Sequence, residues 1–228
     1  MSAASLAGTL PGGGRVVFTS RRDGNMSSTG GEGREMAAAN REALRRRLGA
    51  RGIARGFQVH GTRVSRVGQL VQDRASNEGL EEADGQATAV AGLAAMVLAA
   101  DCLPVALGCR GAVAVVHAGW RGLSEGVIQE GLLALGELGR GGAVGAVLGP
   151  CAGVCCYEVG PEVHEALGEP GRGRGPADLR AIARLRLAEA GVQEITELGG
   201  CTICDEAFFS HRREGPAAGR MAGVAWLS

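Results

Sequence analysis

The stretch between residues 96 and 120 limits most what this chain can fold into. Three apolar segments, Met96–Ala100, Val105–Leu107 and Ala112–Val116, are separated only by Asp101-Cys102-Leu103-Pro104 and by Gly108-Cys109-Arg110-Gly111. Runs this short, valine-rich and bounded by glycine read as buried strands, and the glycine-bounded break between the last two reads as a hairpin. If Gly108 and Gly111 oppose one another, antiparallel pairing sets Cys102 directly across from His117. Opposed residues share a face, with Cα atoms about 4.5–5.5 Å apart. Pro104 complicates the pairing, because proline sits at strand starts, edges or bulges, and a one-residue bulge would turn the two side chains to opposite faces.

Strand and helix signals alternate along the rest of the chain. Val16–Phe18 is a short strand, and residues 35–48 place Met36, Ala39, Ala43, Leu44 and Leu48 at helical spacing, stopped by Gly49. Residues 56–67 alternate as a strand broken at His60-Gly61; 123–138, 162–167 and 179–190 read as helices; 144–148 and 222–227 read as strands. The expected class is α/β or α+β. With 228 residues, no internal repeat and no long linker, one domain is expected over residues 15–228, preceded by a flexible N-terminus over 1–14. No run approaches the roughly 18 apolar residues of a membrane span, and the first residues lack a basic and apolar secretory leader, so a soluble cytoplasmic protein is expected.

Composition removes several chemistries. The 24 basic residues are all arginine, which excludes lysine Schiff bases and Walker-type lysines. Only seven aromatics are present, too few for a nucleic-acid stacking platform. Gly12-Gly13-Gly14 opens no phosphate-binding fingerprint. Seven cysteines, an odd number, favour free thiols, metal ligands or catalytic groups over a disulfide framework.

Cys102 and His117 read three ways: a buried thiol beside a core histidine, a thiol nucleophile with its imidazole base, or two ligands of a metal ion. Catalytic zinc takes three protein ligands and keeps a fourth position open, and His60 is the best third. His164, in a helix, and His211, in the arginine-rich tail, read as surface residues, so His164→Ala is expected to be silent. Cys201-Thr-Ile-Cys204 with Cys151 and Cys155 could form a four-thiolate site, but the spacing and apolar surroundings favour plain buried thiols. Asp84 and Asp101 read either as carboxylates orienting a histidine or as turn caps, and Trp120 and Tyr157 either as base-stacking rings or as core.

Six segments occur in an order that resembles one family: Gln58-Val-His60-Gly61, Glu82-Ala-Asp84-Gly85, Ala100-Asp101-Cys102-Leu-Pro104-Val105, His117-Ala-Gly-Trp120-Arg121-Gly122, Gly149-Pro-Cys151 and Cys156-Tyr157-Glu158-Val159-Gly160. The close, Cys201-Thr202, Phe209-Ser210-His211-Arg212-Arg213 and Gly219-Arg220-Met221, fits the same pattern. The chain resembles, over residues 15–228, the YfiH-like laccase-domain family, once labelled polyphenol oxidases and now regarded as purine nucleoside phosphorylases. The family's N-terminal pattern survives as Phe18-Thr-Ser-Arg21, Ser27 and Asn40-Arg41, with its centre shortened.

The resemblance implies a four-layer α/β/β/α arrangement with mixed sheets and Zn2+, or alternatively Cu2+, held by His60, Cys102 and His117, which are also the implied catalytic residues. It implies phosphorolysis of adenosine, inosine, guanosine and methylthioadenosine, together with adenosine deamination. The partners are then a small purine nucleoside and phosphate, without nucleic acid or membrane, on a monomer or weak homodimer. Arg21, Arg41 and Arg121 are the candidate phosphate donors, with Asp84 and Asp101 also assigned to the substrate side. A multicopper oxidase holds its coppers mainly through histidines, far more than the four present here. The remaining alternatives are a cysteine hydrolase using Cys102 and His117, and a metal-stabilised binding protein without catalysis.

Overall fold

The first sheet is assembled from both ends and the middle of the chain. In the computed structural model, which describes residues 6–228, the chain opens with β1 (Leu6–Leu10) and β2 (Gly14–Phe18), then α1 (Ala37–Leu48). It continues as β3 (Gly52–Ala54), β4 (Val64–Arg66), β5 (Gly85–Thr88), β6 (Leu93–Ala99), β7 (Leu103–Cys109) and β8 (Ala112–Ala118). Next come α2 (Trp120–Glu125), α3 (Val127–Leu138), β9 (Gly145–Leu148), β10 (Glu158–Val159) and α4 (Pro161–Ala166). The last elements are β11 (Gly175–Pro176), α5 (Leu179–Glu189), β12 (Glu194–Glu197), α6 (His211–Glu214) and β13 (Met221–Leu227). One sheet has the order β1-β2-β13-β6-β3 and the other β12-β9-β7-β8-β5-β4, while β10 and β11 pair apart. Both large sheets are mixed: β3 runs parallel to β6, and β12 to β9 and β4 to β5, among otherwise antiparallel pairs.

Strand alternation builds the layers. Phe18, Val97 and Ala225 of the first sheet meet Ala106, Val113, Val115 and Val147 of the second in one buried cluster. The opposite face of the second sheet, with Val105, Leu107, Ala114 and Val116, packs under Ile128 and Leu135 of α3 and Leu179 and Leu187 of α5. Leu44 of α1 covers Ile53, Met96 and Val224 on the outside of the first sheet. The result is the expected α/β/β/α order. Each fully buried side chain of valine to phenylalanine size contributes about 1.5–3 kcal/mol, so the two central layers carry most of the stability. Among the described residues, no helix is long and apolar enough to cross a membrane.

Several local expectations need correction. The β7–β8 hairpin pairs Cys109 with Ala112 and Pro104 with His117, not Cys102 with His117. The tight turn is Arg110-Gly111, where Gly111 takes a φ of 85° that a side chain would strain. The partner of His117 thus moves by two positions, and an even shift leaves the faces unchanged. Pro104 stands near the start of β7 and causes no bulge. Leu6–Leu10, expected within a flexible terminus, is a strand paired along β2; residues 1–5 lie outside the described residues. The segment 56–67 is a strand only at Val64–Arg66, because its first half bends around His60. The helix expected over 123–138 is two helices, divided at Gly126 with φ 100°.

Candidate metal centre

At the end of the hairpin the strands deliver their polar residues to one point. His117 lies in β8 on the face of Val113 and Val115, Cys102 immediately precedes β7, and His60 comes from the loop before β4. One ligand atom from each lies within 4.8 Å of the others. The two imidazoles meet edge to face, with centroids 4.9 Å apart. Gly119 permits this approach, because a Cβ there would stand 3.0 Å from Cys102 Sγ and 3.4 Å from His60 Cδ2. Gly61 is not required in the same sense, since a Cβ there would meet nothing closer than 3.6 Å.

Asp84, fully buried just before β5, organises the group. One carboxylate oxygen accepts from His117 Nδ1 at 2.8 Å and from the His60 N–H at 3.0 Å, and the other accepts from Val59 and Gly61 N–H. The backbone of Asp84 also accepts the His117 N–H at 2.7 Å. These bonds hold His60 at a φ of 64°, a conformation that costs a β-carbon residue of order 1 kcal/mol and persists only where its surroundings enforce it. They also leave His117 Nε2 facing the centre, with the other ring nitrogen held by a carboxylate in the manner of metal-ligating histidines. Burial acts to raise the Asp84 carboxyl, but the hydrogen bonds from His117, Val59 and Gly61 prevail and hold it below its ordinary range.

Burial likewise works against charge on Cys102 and His117, and their mutual attraction overrides it. The Cys102 thiol is brought down to about 6 by His117 and His60, while His117 is raised to about 9 by Cys102 and Asp84. Both shifts favour a thiolate–imidazolium pair at neutral pH when no metal is bound. One thiolate and two imidazoles, with a carboxylate behind one ring, also match the donor set of a three-ligand divalent metal site, so these residues can hold a metal ion.

The three donors open onto a cavity of about 500 Å3. Gln58, Asp101, Trp120, Arg121, Tyr157, Arg212 and Arg220 line it, joined by Ser27 and Thr29 from the N-terminal loop. Asp101, with φ 83°, is fixed by Thr202 Oγ1 at 2.6 Å, Ser210 Oγ at 3.1 Å and the Arg212 N–H at 2.7 Å. Gln58 is clamped to the backbone of Leu98 by two bonds of 2.7 Å. A separate cavity of about 510 Å3 beside β3 and β4 is lined by Arg66, Asp73, Arg74 and Glu81 and contains no thiol or imidazole.

The remaining sequence candidates divide. Arg121 reaches the metal cavity, its guanidinium 4.2 Å from the Trp120 ring centroid. Arg41 does not: it is fully buried, bonded to Asp73 at 2.6 Å and to the carbonyls of Met26, Arg74 and Ala75. Its donors are consumed in fastening α1 to the 73–75 loop. Arg21 is also turned away from the cavity lining, held by Glu214 and by the carbonyls of Glu206 and Phe208. Asp84, buried behind His117, is not among the residues that line the cavity. His164 is not a surface residue: it is fully buried, Nδ1 meeting Glu169 at 2.7 Å and Nε2 meeting the Gly175 carbonyl at 3.2 Å. His211 is exposed. Arg212 and Arg220, which also line the cavity, belong to the tail segments 209–213 and 219–221, and nothing local in the sequence says that the tail returns to the hairpin.

Comparison with known proteins fits this geometry. The profile of the family described as multi-copper polyphenol oxidoreductase laccase matches residues 13–228. A Xylella fastidiosa protein named purine nucleoside phosphorylase is 39% identical over 221 residues, covering 90% of this chain and 84% of that protein. A Mycobacterium tuberculosis protein of the same name is 35% identical over 223 residues, covering 89% and 84%. The solved structure of Neisseria meningitidis NMB0706 superposes with a TM-score of 0.82 at 31% identity over 99% of this chain and 98% of that one. Bacillus licheniformis YfiH gives 0.80 at 25% identity, covering 94% and 93%. The chain therefore belongs to the YfiH-like laccase-domain family.

Proposed function

We propose that this chain is a zinc-dependent purine nucleoside phosphorylase acting on adenosine, inosine, guanosine and methylthioadenosine, with adenosine deamination as a second activity. The observation that carries this reading is the convergence of His60, Cys102 and His117 at the wall of a cavity also lined by Arg121, Arg212 and Arg220, and by Arg55, whose guanidinium is taken up by Asp73 and Asn77. The names of the Xylella and Mycobacterium relatives support it. His60, Cys102 and His117 would hold zinc with one position left free, and the ion would supply Lewis-acid polarisation there.

The chain's own groups supply the rest. Phosphate takes charge-assisted hydrogen bonds from Arg121, Arg212 and Arg220, which line the cavity where Arg21 and Arg41 do not. In phosphorolysis a phosphate oxygen bonds to the anomeric carbon, the glycosidic bond breaks, and its electron pair and a proton pass to the purine. Stacking on Trp120 and Tyr157 is shared with arginine, since Arg121 lies over the first ring and Arg212 over the second at 4.8 Å. Asp84 keeps His117 oriented through the cycle, and Asp101 fixes the chain segment that carries Arg212. Only His60 and His117 of the four histidines reach the centre, which supports a single metal at this centre over the oxidase description.

The thiolate–imidazolium pair favours one rival, a cysteine hydrolase with Cys102 as nucleophile. Chelator-treated and zinc-reloaded protein, assayed for conversion of inosine and phosphate to hypoxanthine and ribose 1-phosphate, separates the two. The proposal expects activity to vanish and return with zinc, and Cys102→Ser to lose activity together with the zinc equivalent held at His60 and His117. Full activity in the metal-free chain, or a Cys102→Ser protein that binds as much zinc as the wild type but is dead, points to the hydrolase. Bound zinc with no turnover on any nucleoside leaves the binding protein.

A further inference from the structure

Four of the seven cysteines gather away from the cavity wall just described. Cys155 and Cys156 lie in the turn after β9, and Cys201 and Cys204 in the turn before α6. Their sulfurs all lie within 4.8 Å of one another, with Cys155–Cys204 at 3.4 Å and Cys156–Cys204 at 2.9 Å, and none of the four is in a disulfide. A tetrahedral ion with metal–sulfur bonds of about 2.3 Å sets its sulfurs about 3.8 Å apart, within the range spanned here. The Gly153 N–H donates to Cys201 Sγ at 3.2 Å, and the N–H groups of Ile203 and Cys204 in the same turn also bond to that sulfur. Amide donors around a Cys-x-x-Cys sulfur favour its thiolate form.

The membership differs from the set suggested by spacing. Cys151 is almost fully buried and outside the cluster, its backbone bridged to Cys201, and Cys156 takes its place. Cys155 and Cys204 are exposed, so the cluster is not a set of plain buried thiols. No imidazole or carboxylate belongs to the cluster. A sulfur-only tetrahedral set selects a soft or borderline cation, and zinc is the ion such closed sites hold.

We infer that Cys155, Cys156, Cys201 and Cys204 form a second, structural four-thiolate zinc site, which releases the thiol protons to solvent on binding. Its place gives it a task. Cys201 begins the segment whose Thr202, Ser210 and Arg212 fix Asp101, and Cys156 precedes Tyr157, whose ring underlies Arg212. The ion ties the two loops that carry Tyr157 and Arg212 to the cavity. Zinc binding by these four thiols does not depend on the proposed reaction and can be tested without it.

The full chain, purified under reducing conditions and loaded with zinc, is expected to hold two equivalents. His60→Ala/Cys102→Ser should remove one and Cys204→Ser the other. Alkylation of the wild-type chain, followed residue by residue by mass spectrometry, needs no variant: zinc should slow reaction at all four loop cysteines by about tenfold or more, and a chelator should restore it. Cobalt substitution of His60→Ala/Cys102→Ser should give the visible bands of tetrahedral sulfur coordination. A single equivalent unaffected by Cys204→Ser overturns the inference. So do four thiols that alkylate equally fast with and without zinc.

Discussion

The two sulfur-bearing centres of this protein are built on opposite plans. His60, Cys102 and His117 stand at strand ends and in a strained loop, locked by one buried carboxylate, with one side open to a cavity of about 500 Å3. The four loop cysteines lie in two turns near the surface, with amide N–H groups in place of a carboxylate and no cavity lining among them. Mixed donors with an open face suit a metal that must accept substrate, whereas four thiolates saturate the ion and leave it only a structural part. Charge follows the same division. Imidazole neighbours pull Cys102 down to about 6, while the neighbouring thiols Cys156 and Cys201 leave Cys204 raised to about 11.

The contrast can be broken most forcefully at Asp84. Asp84→Asn removes the charge behind His117 and cannot accept all the N–H groups that the carboxylate holds, so zinc affinity at the first centre should fall about 10–100-fold. Titration against a chelator should show no change at the loop cysteines; equal weakening of both would mean that the centres are not separate. A second measurement sharpens the electrostatic difference. In metal-free protein the lowered Cys102 group is thiolate above pH 6 and thiol below it, so its alkylation should be flat from pH 7 to 8 and about tenfold slower at pH 5. Cys151, raised to about 12 by burial, should stay inert throughout. If Cys102 reacts like an ordinary thiol, rising steeply between pH 7 and 9, the imidazole pairing is wrong. The smallest effect on either centre is expected at His164. Its removal takes away two hydrogen bonds made from a fully buried position, leaving Glu169 with Arg172 alone, and costs about 1–3 kcal/mol in denaturant unfolding, while zinc content stays that of the wild type.

Legibility followed distance along the chain. The buried strands around the hairpin were readable because their apolar runs are continuous, and helices such as α5 because their spacing and caps are local. The register was not, since either pair of turn residues can close the loop and only packing of β7 between β8 and β9 selects one. Arg41 and Arg121 illustrate the same limit. Each is an arginine in a recognisable segment, yet Arg41 ends in a buried pair with Asp73, 32 residues away, and Arg121 opens onto the cavity. Nothing within a few residues of either distinguishes them. Asp84 was open between orienting a histidine and capping a turn, and the fold gives it both duties at once.

What the sequence determined by itself was the chemical inventory and the layers. Alternating strand and helix signals lead to an α/β or α+β class, the family resemblance implies two sheets between helices, the absence of lysine leaves anion binding to arginine, and four histidines are too few for a multicopper centre. Only the tertiary structure decided which groups share an address. His60, Asp84, Cys102, His117 and Arg220 lie on separate segments, as do Cys155 and Cys204, and their meeting is fixed by the packing of two sheets over distances no local pattern encodes. Residue type sets what a side chain can do, and the folded backbone sets what it does it with.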